Sequence, residues 1–306
     1  MVAPSSGQWF GRRTLARQQA VWGYIFVSPF LLGLIAFSLG PMLAAFYFSF
    51  TDYTVLDAPT WIGLKNYERL IAGDPLFLVS LGNTLYYVGL SVPAMIVLGF
   101  ALALGLNQPI GGVTAYRAAF YLPSIVPSIA NAVVWIWMFN PQLGPFRLVF
   151  ELFGIPSPLW LQSDLWSKPA LVMISLWSVG TTMMTFLAGL QGIPQHLYEA
   201  AQIDGAGRLQ RLRHVTVPLM TPTIFFNLVI GIIGSFQVFV YAFVMTRGGP
   251  LNSSLMYVLY IYRNAFEYFR MGYASALAVV LTLIVLALTL LVFWSARRWV
   301  HYELDH

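Results

Sequence analysis

Polar side chains suited to handling a solute gather on two apolar stretches of this 306-residue chain. Along Pro222 to Met245, at about 100° per residue, Asn227, Gly231, Gly234, Ser235, Gln237 and Tyr241 share one arc of roughly 160°. Phe225, Val229, Ile232, Ile233, Phe236, Phe239 and Val240 take the opposite arc. Along Pro169 to Gln191, Ser175, Ser178, Thr181, Thr182, Thr185 and Gly189 share about 120°. These groups donate and accept hydrogen bonds without carrying charge, and Tyr241 adds an aromatic surface. They suit a neutral polyhydroxyl solute, whereas a phosphate or other anion would call for Arg or Lys. Close helix packing is the other reading of small residues in a membrane. It accounts better for the Pro169 to Gln191 stretch; on the other stretch, Gln237 and Tyr241 are larger than packing requires. The solute path is therefore expected to involve Ser178, Thr182, Asn227, Gly234, Ser235, Gln237 and Tyr241.

Other chemistries lack their residues. No Gly-x4-Gly-Lys-Ser/Thr occurs; the only lysines are Lys65 and Lys168, and neither follows a glycine. A proton-coupled carrier usually needs a carboxylate or histidine within the membrane, and the apolar stretches hold none. The four histidines, at 196, 214, 301 and 306, all fall outside them, which disfavours an intramembrane hydrolase. With no cysteine, disulfides and thiolate metal sites are excluded. No catalytic residue, cofactor or metal ligand is expected. A sodium-coupled or facilitative carrier acting alone stays open, because unwound backbone carbonyls suffice to bind sodium.

The elements that must position these residues are membrane spans. The chain is 58% hydrophobic and 9% charged, against about 25% charged in soluble domains. Six runs reach the roughly 20 apolar residues that a spanning helix needs: Trp22 to Phe50, Leu76 to Leu106, Ala115 to Phe139, Pro169 to Gln191, Pro222 to Met245 and Tyr273 to Arg297. Their interiors contain no Asp, Glu, Lys or His; Arg117 and Arg297 sit at ends. A lone charge at mid-bilayer costs about 2.5–3.5 kcal/mol, so its exclusion from all six runs argues for spanning. The first run is too long for a secretory signal, whose apolar region has about 7–15 residues. Prolines interrupt several runs: Pro29 and Gly40-Pro41 in the first, Pro93 in the second, Pro123 and Pro127 in the third.

Six spans put both termini on one side. That side holds Arg12, Arg13, Arg17, Arg117, Arg208, Arg211, Arg213, Arg297 and Arg298. The other holds Lys65, Arg69, Arg147, Lys168, Arg247, Arg263 and Arg270. The surplus of basic residues favours cytoplasmic termini. Three loops then face outside, Thr51 to Pro75, Asn140 to Lys168 and Arg247 to Gly272. Their tyrosines and tryptophans suit an interfacial belt or a docking surface. The scattered basic residues flank apolar runs and give no nucleic-acid footprint.

On the cytoplasmic side, Ile193 to Pro218 reads as helix, turn, helix. Pro194 suits a first helical position, and Gly205 sits where a left-handed cap would end the first helix. A basic second helix, Arg208 to Val215, is expected to stop before Pro218. Glu199-Ala-Ala-(x2)-Asp204-Gly205-Ala206, followed by Val215-(x2)-Pro218 and Pro222, resembles the EAA loop of ABC import permeases. Ser28-Pro-Phe-Leu-Leu, Ser49-Phe-Thr-Asp-Tyr53, Gly63-Leu-Lys-Asn-Tyr67, Ser235-Phe-Gln-Val-Phe239, Gly248-Gly-Pro250 and Gly272-Tyr-Ala-Ser-Ala276 extend the resemblance to sugar-import permeases over nearly the whole chain. Leu212, where an aromatic is usual, and Val240, where Asp is frequent, depart from that pattern.

The resemblance implies an all-α membrane fold of six transmembrane helices with a cytoplasmic helix-turn-helix coupling loop. It implies that Glu199, Ala200, Ala201, Asp204, Gly205, Ala206 and Pro218 meet a separate ATPase. The implied partners are a second homologous permease, two cytoplasmic ATPase subunits and an external solute-binding protein, in the inner (plasma) membrane. The expected division is a cytoplasmic segment at 1–21, a first span with its external loop at 22–75, a permease core at 76–297 with the coupling loop at 193–222, and a cytoplasmic tail at 298–306.

Overall fold

The computed structural model describes residues 7–301 except residue 110. The chain begins as one helical rod, α1 (Gly7–Leu34) leading into α2 (Gly40–Phe48) through a π-helical turn at Ile35–Leu39. The expected cytoplasmic segment at 1–21 is thus helical from Gly7 and continuous with the first span, and its residues 1–6 lie outside the described residues. Pro29 leaves α1 unbroken. At Pro41 the π turn shifts the ladder, with the Gly40 N–H donating to the Ile35 carbonyl, so the proline's missing donor falls where the register has already slipped. Of the expected tail, 302–306 lies outside the described residues.

A loop follows, with two two-residue strands, β1 (Thr51–Asp52) and β2 (Thr60–Trp61), paired antiparallel, and a short helix α3 (Lys65–Ala72). α4 (Pro75–Leu106) is unbroken despite Pro93. The Asp74 carboxylate starts it by accepting from the Leu76 and Phe77 N–H groups. The third run is two helices, α5 (Val113–Ile125) and α6 (Ser128–Met138), bent by 99°. Val126 lies extended before Pro127, because proline's Cδ drives the preceding residue out of the helical region. After α7 (Pro145–Leu152) the fourth run is also two helices, α8 (Ser167–Trp177) and α9 (Gly180–Gln191), bent by 47°.

The hairpin is α10 (Gln195–Ile203) and α11 (Arg208–Arg211). The expected stop before Pro218 does not occur. A π turn at Leu212–Thr216, closed by Val217 N–H donating to the Leu212 carbonyl, absorbs the proline, and α12 (Val217–Phe236) continues the same rod. The chain breaks at Gln237 to Phe239 and turns through a π segment, Ala242–Thr246. α13 (Tyr257–Tyr262) and α14 (Met271–Ala296) complete the fold. Among the described residues four rods are long and apolar enough to cross a membrane, and with each bent pair taken as one span there are six.

α4 is the centre, with α8, α9 and α12 packed on it. Leu171, Ile174, Met183, Phe186, Phe236 and Leu277 are fully buried in the core. Close approaches are made by glycine. A Cβ on Gly180 would lie 2.5 Å from the Phe120 carbonyl oxygen, so α9 starts directly against the backbone of α5. At one end the loops are tied together. The Asp74 carboxylate also accepts from the Tyr260 and Tyr273 hydroxyls, and Arg69 lies over the Tyr273 ring. Asn83 donates to the Asn252 and Leu255 carbonyls and accepts from Lys168. The hairpin lies at the other end, where Tyr198 bonds Thr216 and Arg117 donates to the Leu106 carbonyl.

Candidate functional site

The breaks in the helices converge on one cavity of about 670 Å³ between α4, α6, α8, α9 and α12. Small-molecule sites commonly enclose about 300–1,000 Å³. Its polar lining comes from Tyr87 and Ser91 on α4, Ser128 on α6, Ser175, Thr181, Thr182 and Thr185 on the fourth run, and Asn227, Ser235, Gln237 and Tyr241 on the fifth. Gly231 and Gly234 leave room beside them; a Cβ on Gly231 would meet Val92 at 3.2 Å. None of the lining side chains is charged.

The polar groups are partly committed. Asn227 donates to the Thr223 carbonyl, Thr185 to Thr181 and Ser175 to Val172, which ties each to its own helix. Tyr241 is steered by Asn131, whose amide donates to the phenol oxygen over 3.3 Å. Ser91 is 2% exposed and its hydroxyl has no hydrogen-bond partner among the described residues, although it lines the cavity. A buried hydroxyl without a partner costs about 1–3 kcal/mol, so a bound hydroxyl or water would satisfy it. Thr181, Phe226, Ile230, Gly234 and Gln237 are exposed, and the cavity is open on their side.

Six of the seven expected path residues line this cavity: Thr182, Asn227, Gly234, Ser235, Gln237 and Tyr241. Ser178 is not among the lining residues. It sits in the break between α8 and α9, where its carbonyl accepts from the Ser124 hydroxyl. In the fifth run the break at Gln237 to Phe239 resets the helical wheel. Phe239 and Val240, assigned to the opposite arc, line the cavity, while Phe236 is fully buried in the core. Packing and lining share the fourth run: a Cβ on Gly189 would meet the Thr223 hydroxyl at 2.8 Å, and Thr182 both lines the cavity and presses on Gly99. Tyr87, Ser91, Ser128 and Asn131 were not anticipated. Tyr87 and Ser91 continue a buried polar stripe with Ser80, Asn83 and Thr84 along one face of α4, a pattern that by itself reads equally as helix packing.

At the hairpin end, α10 closes in a Schellman turn. Gly205 has φ +80°, its N–H donates to the Gln202 carbonyl, and the Ala206 N–H reaches back to the Ala201 carbonyl. Pro194 is the residue before the helix rather than its first. Glu199, Ala200, Asp204 and Gly205 are exposed, Ala201 and Ala206 are half-buried, and Pro218 lies inside the continuous α11–α12 rod. Glu199 accepts from Gln195 on the same face. Ile203 and Leu209 are 87% and 76% exposed, so the hairpin offers apolar surface that none of the described residues covers.

Residues 80–301 match the model of the binding-protein-dependent transport system inner membrane component family. A probable ABC transporter permease, YesP of Bacillus subtilis (strain 168), is 43% identical over 293 residues, 94% of each chain. The trehalose/maltose transport system permease MalF of Thermococcus litoralis is 32% identical over 281 residues, 90% of this chain and 94% of that protein. A bacterial ABC transporter involved in import of the acidic polysaccharide alginate superposes with a TM-score of 0.83 at 24% identity. It covers 94% of this chain and 99% of that chain. The same kind of transporter in complex with an alginate pentasaccharide-bound periplasmic protein gives 0.81 at 24% identity, over 94% and 96% of the two chains. At that identity the likeness concerns the fold. The family match runs from α4 past the end of α14 and takes in cavity and hairpin alike, so this chain belongs to the binding-protein-dependent transport inner membrane components, as an ABC transporter permease.

Proposed function

We propose that this permease forms the membrane path for a neutral sugar or similar polyhydroxyl solute and is driven by ATPase subunits on separate chains. The observation that carries the solute class is the cavity lining, which combines hydroxyls, amides and aromatic rings with no charged side chain. Relatives named for trehalose and maltose fit that lining. An acidic polysaccharide, as in the alginate transporter, would require cations from another subunit. The open side of the cavity fits closure by a second homologous permease. The fold neighbour bound to a periplasmic protein supports an external solute-binding protein as the donor. The exposed hairpin Gln195–Ile203, with Glu199, Ala200, Ala201, Asp204, Gly205 and Ala206 on or beside it, is the element we assign to the two cytoplasmic ATPases, with Pro218 holding the rod behind it. The termini are then cytoplasmic, with residues 1–21 and 298–306 on that side and the core at 76–297. The family assignment favours this assembly over a carrier acting alone.

Uptake by the assembled importer, competed with neutral oligosaccharides and with uronic-acid oligosaccharides of equal length, tests the solute class. Neutral sugars are expected to compete, and Gln237→Leu to weaken uptake several-fold, in line with about 1 kcal/mol for one hydrogen bond. Selective competition by uronic acids would overturn the assignment.

A further inference from the structure

The loop between the third and fourth runs carries a helix that the transport reading does not use. We infer that α7 is an amphipathic helix lying in the membrane interface, its aliphatic sector in contact with acyl chains. This inference goes beyond the solute and the ATPase and rests only on the membrane disposition of the spans.

Around α7 the residues divide into three sectors at about 100° per residue. Phe146 and Phe150 face the protein: their rings lie 6.0 and 5.8 Å from that of the buried Trp160. Arg147 and Glu151 form a second sector, paired with each other and both about half exposed. Leu148, Val149 and Leu152 form the third, 64%, 49% and 84% exposed. A helix on the flank of a soluble protein needs two sectors, core and water. A third, aliphatic one, set apart from both, fits a helix that meets protein, water and lipid at once.

Its level in the bundle agrees. Gly144, immediately before α7, lies on the last carbonyls of α6; a Cβ there would sit 2.4 Å from the Met138 oxygen. Trp160, beneath α7, is 5.1 Å from Trp166, the residue before α8 begins. α7 is therefore held at the outer end of the third and fourth spans, where hydrocarbon gives way to headgroups. The exposed apolar stripe Ile129, Val133 and Trp137 of α6 ends at this level, just before the turn that leads into α7. Its composition also separates lipid from a protein partner. Protein interfaces are enriched in Tyr, Trp, Arg and Met, and this sector holds none of these: its exposed side chains are Leu and Val, beside the half-buried Pro145.

The absence of cysteine permits a direct test. Leu148→Cys, Leu152→Cys, Arg147→Cys and Glu151→Cys are each labelled with an NBD fluorophore in the assembled importer, built with cysteine-free partners. The importer is placed in phosphatidylethanolamine–phosphatidylglycerol vesicles. Shallow doxyl lipid is expected to quench labels at 148 and 152 several-fold more than those at 147 and 151, and aqueous iodide to show the reverse order. Iodide quenching of all four alike would make the sector a free surface and overturn the inference. Labels at 148 and 152 shielded from both quenchers would put a protein subunit there and overturn it equally.

Discussion

At the scale of single residues, Gly205 is the most exacting position in the hairpin. Its φ of +80° lies where a side chain is strained, and a Cβ there would meet nothing within 4 Å. The cost of a substitution is thus confined to the backbone, about 1–2 kcal/mol for left-handed geometry, and falls outside the packed helices. Gly205→Val is expected to reach the membrane in normal amount while solute-stimulated ATP hydrolysis falls several-fold. Hydrolysis and uptake at the unmodified rate would overturn the coupling role proposed for α10. This position was legible because a glycine after a helical, partly apolar stretch has a local cause. Tyr87, Ser91, Ser128 and Asn131 were not, because their part in the cavity depends on which helices face each other. Nor did Ser178 declare itself, since its carbonyl, and not its place on a wheel, decides what it does.

At the scale of elements, the apolar length of the runs located the spans, and Pro127 explains the bend between α5 and α6. The break after Trp177 has no proline; it accompanies the contact of Gly180 with α5, a long-range approach that no local pattern announces. Pro93 and Pro218 mislead in the other direction, one tolerated within α4 and the other absorbed by a π turn. The Asp74 cluster joins the start of α4 to α13 and α14, and it has a pH signature. Burial first, then the hydrogen bond to the Asp74 carboxylate, pushes the Tyr260 hydroxyl up to about 12 from 10. A folded-state value above the unfolded one contributes stability that is complete below pH 10 and lost as pH rises toward 12. Thermal midpoints are therefore expected to drop across that window, and Tyr260→Phe to flatten the drop while lowering stability below it. An unchanged alkaline slope in Tyr260→Phe would show that Tyr260 does not govern it.

At the scale of the whole molecule, the tied loops gather at one end and the hairpin lies at the other, which fixes relative sides. Reporter fusions at residue 207 and at the C-terminus are expected to read cytoplasmic, and those near residues 65, 155 and 258 external. An external reading at 207 would place α10 beyond reach of any cytoplasmic ATPase. The neutral cavity lining carries a further, electrical consequence. A charge moved through the full field gains or loses about 2.3 kcal/mol per 100 mV. Walls without charge, such as this chain contributes to the cavity, and a solute without charge do no work against that field when the path switches between its two openings. The step on this chain is thus expected to be voltage-silent. In vesicles at constant internal ATP, clamping the potential with potassium and valinomycin should leave the uptake rate unchanged, so that a cell whose membrane has depolarised goes on importing for as long as its nucleotide lasts.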